Sequence, residues 1–357
     1  MTDSGARWRK RARWQRRARW LVPLATLALL AMFARSVDWR HAWNATVHAD
    51  PTLLVLATLA NLATLVVKGA RWWLFLRAAG VPGLGQAIRA TMAGAALNNV
   101  LVANGGDAAR VAIVAKRENV SSASVLATLA LDLLCDLVTY GMLFVGAAFA
   151  LPLPPELARW RMPGLLAIGA VGVIAGVLVW RGSPASVSET PDATKAVGFA
   201  ARARAYWRRL VATSTHVATW PRVGLAVALS LVAWAGQWAT FHYAAHAAAF
   251  PATAADSLLA LLAVNASFLV RLTPGNVGVF QLLYALAATS TGLDRDAAVA
   301  VAFLIQLIQY IPVTVIGLVL APSLAGTSRL SRVAELVADP LDGTEHPRLS
   351  GTTKGRT

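Results

Sequence analysis

Charge is scarce in this chain, acid is scarcer, and cysteine is almost missing. Asp, Glu, Lys and Arg make up 14% of the 357 residues, where a soluble domain carries about a quarter. That shortage excludes an ordinary water-facing surface. The single cysteine, Cys135, excludes an intrachain disulfide and a cysteine-based zinc site. The spaced glycines of "GVPGLGQAI" follow no strand, which excludes a dinucleotide-binding turn. His242 and His246 stand four apart without the intervening Glu or third ligand of a zinc helix, so no metal site is expected. Helix–helix hydrogen bonding suits them better. No cofactor is implied.

Apolar residues fill the space, at 57% of the chain with mean hydropathy +0.56. No charged residue lies between Arg19 and Arg35, Asp50 and Lys68, or Arg161 and Arg181, nor within 223–255 or 297–328. A helix of about 17–25 mostly apolar residues crosses the hydrocarbon core, so the chain reads as an all-α polytopic membrane protein. No small-residue cleavage site follows the first apolar run, "WLVPLATLALLAMFA", which reads as an anchor.

The formal charge of +16 invites a nucleic-acid partner, but its placement speaks for topology instead. Residues 1–20 hold eight basic residues and one acid, and 181–222 hold seven and two, while 35–50 and 151–163 hold two basic residues each. Basic flanks mark the cytoplasmic side. A basic N-terminal segment (1–19) and a connector (182–221) are therefore placed inside, with no nucleic acid required. The expected membrane domain, 20–322, has about six full helices at 20–37, 51–67, 122–150, 164–181, 223–247 and 297–321. Residues 68–79, "KGARWWLFLRAA", read as an interfacial turn bearing Lys68, Arg71 and Trp72. The tail 323–357 has the composition of a disordered cytoplasmic segment. A bacterial cytoplasmic (inner) membrane with both termini inside is the expected location.

Two polar stretches interrupt this pattern. In "NNVLVANGGDAARVA", seventeen uncharged residues separate Arg89 from Asp107, but only five separate Arg110 from Lys116. The second arm is too short to span, so the segment is expected to enter, break at Gly105 and Gly106, and return. Asp107 then suits the N-cap of the returning arm. In "FLVRLTPGNVGVFQLLYA", Pro274, Gly275 and Gly278 form a second break, with Asn276 at the cap position. By parity the second hairpin enters from the opposite side, giving an inverted repeat; the alternative is two short full spans at 257–270 and 277–291. Such broken helices stand in lipid only where buried in protein or lining a wet cavity. In transporters they frame the substrate.

Asp132 and Asp136 sit mid-membrane on one helix face, where each acid costs roughly 2.5–3.5 kcal/mol without partners. Arg110 and Arg271 are the candidate partners. The group either lines a substrate or ion path or merely fixes helix packing.

Three stretches, "KGARWWLFLRAAGVP", "GGDAARVAIVAKRENVSSASVLATLALDLLCDLV" and "LTPGNVGVFQLLYAL", resemble the transmembrane domain of lysylphosphatidylglycerol synthase and its stand-alone, flippase-like relatives. The resemblance spans roughly residues 15–325. It implies a module that moves lipids between leaflets, and it marks Lys68, Arg71, Gly106, Asp107, Arg110, Asp132, Pro274, Gly275 and Gly278. The family usually has Glu where this chain has Asp107, often Glu at Gln281, and an Arg near Leu133. The soluble aminoacyl-transfer domain of the full synthases is not expected in this chain.

The leading expectation is therefore a lipid flippase. It would handle an anionic headgroup near Asp107, Arg110, Asp132, Asp136, Arg271, Asn276 and Gln281. The alternatives are a polyprenyl-phosphate-dependent glycosyltransferase using Asp38, and an accessory subunit of a lipid-modifying enzyme. Membrane lipids are the expected partners, with a lipid-modifying enzyme or a second copy of the chain as further candidates.

Overall fold

The computed structural model describes residues 47–100, 105–150, 162–166, 169–170, 217–266 and 276–325. The expected helix 20–37 and most of helix 164–181, of the basic connector and of the tail lie outside the described residues. So do Asp38, Arg271, Pro274 and Gly275. Every long element described is helical: α1 Pro51–Ala78, α2 Leu84–Val100, α3 Gly105–Arg117, α4 Ser122–Ala150, α5 Trp220–Ala247, α6 Ala254–Ala266, α7 Val279–Ser290 and α8 Arg295–Ala325. Four of them, α1, α4, α5 and α8, are long and apolar enough to cross a membrane.

Local chemistry sets the boundaries. Asp50 caps α1, accepting from Thr52 N–H at 2.7 Å, with Pro51 fixing the first turn. The helix ends where Gly80 takes φ +94° and Val81 N–H reaches back to Leu76 C=O, a Schellman closure. Asn119, at φ 53°, closes α3 the same way through Val120 N–H and Ala115 C=O. Thr253 and Asp256 cap α6 reciprocally, and Asp294 caps α8.

The order of elements repeats. A long helix, two short ones and a long helix have lengths of 28, 17, 13 and 29 residues in α1–α4, then 28, 13, 12 and 31 in α5–α8. The leading helices α1 and α5 pack along each other antiparallel. Asp50 N–H meets Ala247 C=O at 2.9 Å, Thr64 Oγ1 meets Ala233 C=O at 3.4 Å, and Arg71 meets Ser230 at 2.7 Å. Thr64 lies thirteen residues past Pro51 and Ala233 thirteen past Trp220, so equivalent positions touch at the middle of the pair. Antiparallel packing of equivalent helices is what an inverted repeat requires. In each half the hairpin's arms pack on one another, and α8 lies against both α2 and α7.

The hairpin arms are short. α7 is bounded by Gly278 and Thr291, and at 1.5 Å per residue its twelve residues rise about 18 Å, less than the roughly 30 Å hydrocarbon core. Large apolar side chains face outward, including Val55 and Leu59 on α1, Leu133, Leu137 and Phe144 on α4, and Ile311 and Val315 on α8. Charged Arg71, Arg110 and Asp132 face inward. This inversion of the soluble pattern belongs to a chain solvated by lipid.

Two sequence expectations fail here. Residues 68–79 are not an interfacial turn: α1 continues unbroken to Ala78. Arg71 and Trp72, expected to face outward from such a turn, lie buried inside the protein at 2% and 0% exposure. The helix continues because Arg71 finds two acids inside the protein, so its charge does not need water.

Candidate functional site

The i,i+4 spacing of Asp132 and Asp136 puts both carboxylates on the α4 face that meets α1. Arg71 reaches them from α1, with Nε donating to Asp132 Oδ1 at 2.7 Å and Nη1 to Asp136 Oδ1 at 2.7 Å. The same Nη1 donates to Ser230 Oγ of α5 at 2.7 Å, so one guanidinium joins both halves of the repeat. Asp132 turns its other oxygen to Arg110 of α3, accepting from Nη2 at 3.2 Å. Each oxygen of the buried Asp132 carboxylate thus has a charged guanidinium donor of its own.

The edges are looser. Lys68 Nζ stands 3.9 Å from Asp136 Oδ2, and Arg110 Nε stands 3.6 Å from Asp107 Oδ1. The side chains of Lys68, Asp136 and Asp107 are 22%, 25% and 25% exposed, whereas those of Arg71 and Asp132 are 2% and 3%. Arg110 also lies flat against Trp72, its guanidinium carbon 4.5 Å from the ring centroid. The Trp72 indole is fixed by donating to Thr128 Oγ1 at 3.1 Å. Together Lys68, Arg71 and Arg110 balance Asp107, Asp132 and Asp136, so the cluster is neutral overall.

Glycines let the hairpin deliver Arg110 to this place. A Cβ on Gly106 would run into the Gly94 carbonyl and the Asn98 side chain, so α2 and α3 touch backbone to backbone. Asn98 Oδ1 accepts from Gly106 N–H at 2.8 Å. The cap expected of Asp107 is thus supplied from the facing arm, and Asp107 sits in the first turn with Arg110 one turn on. The pairing is local and electrostatic: an acid near a helix N-terminus is favoured by the dipole without capping it.

In the second hairpin the expected cap is also displaced. Asn276 is 2% exposed at φ 57°, and the N-cap of α7 is Gly278 at φ 88°. A residue with φ near +90° is readily a glycine, which is why the helix starts there rather than at Asn276. Gln281, fully buried, accepts from Gly278 N–H at 2.7 Å and donates through Nε2 to Gln306 of α8. Its amide ties the hairpin to α8.

Of the residues expected from sequence, Lys68, Arg71, Trp72, Asp107, Arg110, Asp132 and Asp136 form one network, while Gln281 and Gly278 form a separate tie. Sequence reasoning missed Asn98, Thr128 and Ser230 as partners, and missed Arg71 as the principal counter-ion. The i,i+4 acids signalled a basic partner, but nothing local said which one. His242 bridges α5 to α6 through Ser257, Nδ1 to Oγ at 3.1 Å, and no cluster of three metal-ligating side chains exists among the described residues.

No curated protein matches the chain. A family model does: residues 20–317 match that of the lysylphosphatidylglycerol synthase TM region. The matched span takes in all seven residues of the charged network and both hairpins, and the chain therefore belongs to the lysylphosphatidylglycerol synthase transmembrane-region family.

Proposed function

We propose that the protein is a lipid flippase, moving a phospholipid or related anionic lipid between the leaflets of the bacterial cytoplasmic membrane. The observation that carries this reading is the pair of oppositely directed short-helix hairpins around an antiparallel α1–α5 pair, with partly exposed charges on one of them. In this reading the headgroup crosses beside Lys68, Asp107 and Asp136 while the acyl chains stay in lipid. Two equivalent halves of opposite direction give a ready means of facing either leaflet in turn.

A second reading is favoured by the neutrality of the network: an accessory subunit in which the charges only hold helices together. Lys68→Gln in proteoliposomes separates the two. Under the flippase reading, headgroup-selective translocation falls several-fold with an unchanged unfolding temperature. Under the accessory reading, neither wild type nor variant moves lipid.

A further inference from the structure

The charges of the network divide unevenly. Arg71 is held at 2.7 Å by two acids and a serine. Arg110 is held firmly on one side only, by Asp132 at 3.2 Å and the Trp72 face. It is 6% exposed, and its Nε–H makes no hydrogen bond, the nearest acceptor charge being Asp107 at 3.6 Å. A buried guanidinium edge left without a hydrogen bond is costly. It lies one turn from the start of α3, where helix N–H groups and dipole favour an anion. Without Asp107 the remaining groups number three cations (Lys68, Arg71, Arg110) against two carboxylates (Asp132, Asp136). The site then lacks one negative charge, the charge of a phosphodiester.

We propose that Asp107 is a built-in competitor for the lipid phosphate. Its carboxylate holds the open edge of Arg110 when no lipid is bound, and the phosphodiester displaces it. This rests on the flippase reading and gives that reading a binding step. Arg110 is the residue that receives the phosphate, and Asp107 is the residue that returns to release it. The looseness of the Asp107–Arg110 pair and the exposure of Asp107 suit a group that must leave. The tight, buried Arg71 pairs suit groups that must stay.

The test is titration of the detergent-solubilised full chain with short-chain phosphatidylglycerol, with soluble glycerophosphoglycerol as the headgroup alone and short-chain diacylglycerol as the uncharged control. Asp107→Asn is expected to bind phosphatidylglycerol about fivefold tighter or more, with diacylglycerol binding unaltered. Damage to the fold would weaken binding, whereas loss of a competitor strengthens it. In proteoliposomes the same variant is expected to move lipid more slowly, since release is impaired. Should Asp107→Asn not fold, Asp107→Ser carries the same expectation at this partly exposed position. Unchanged or weaker phosphatidylglycerol binding by a folded variant would overturn the exchange while leaving the flippase reading intact. Tighter binding by a variant whose wild type moves no lipid would support the exchange and remove the flippase. A gain seen only with glycerophosphoglycerol would overturn the lipid as the ligand.

Discussion

Asp132 is the residue on which three helices converge, accepting from Arg71 and Arg110 with only 3% of its side chain exposed. Removing it leaves buried Arg71 with Asp136 alone and buried Arg110 with only the looser Asp107. Asp132→Ala is therefore expected to cost about 3–5 kcal/mol, seen as a large drop in the detergent unfolding temperature. Lys68→Gln touches a rim pair at 3.9 Å with a quarter of each side chain in the open, and is expected to cost less than about 1 kcal/mol. Equal losses from the two changes would contradict the division into a fixed centre and a movable rim. The centre was only half legible in the sequence. Two acids four apart inside an apolar run announce a buried need for positive charge, and Arg110 lay close enough to be named. Arg71 was hidden because a Lys and an Arg at the end of an apolar tract usually mark the water boundary. The partners that let it stay inside lie 61 and 65 residues further along.

At the scale of elements, the first hairpin depends on backbone approach at Gly94 and Gly106. Gly106→Ala places a methyl against the Gly94 carbonyl and Asn98, and is expected to cost about 1–3 kcal/mol through overpacking. Gly146→Ala in α4 meets nothing within 4 Å; it should be neutral or stabilising by about 0.5–1 kcal/mol, since alanine suits a helix interior better. Thermal unfolding of the two variants side by side checks this. In the second hairpin, Gln281→Ala removes the bond to Gly278 and the tie to Gln306 together. A loss of about 1–3 kcal/mol is expected, with no change in headgroup preference. The breaks themselves were readable from glycine, proline and spacing. The caps were not, because Asn98 in a facing arm and Gln281 one turn into its own helix took the roles assigned to Asp107 and Asn276. Caps are settled by whichever acceptor the tertiary fold brings nearest, and sequence order does not rank them.

Across the whole molecule, the two halves share an architecture and differ in charge. Counting from each helix start, Arg71, Asp107, Arg110 and Asp132 correspond to Thr240, Gln281, Tyr284 and Ile305. The first repeat carries the ionised network, and the second presents uncharged side chains at the same places. A symmetric frame with chemistry on one side suits a carrier whose two faces open alternately onto a single headgroup site. The repeat was foreseen from the two polar breaks and the parity of the spans. Its divergence in charge becomes visible only when the helices are aligned by their observed starts. The most direct test is reconstitution of the wild-type protein into liposomes with fluorescent lipids in one leaflet, following their exposure to a membrane-impermeant quencher. Protein-dependent transfer of a phosphodiester lipid, faster than that of uncharged diacylglycerol labelled in the same way and corrected for its spontaneous movement, is the expected result. No protein-dependent transfer of any charged lipid by the folded chain would contradict the flippase reading.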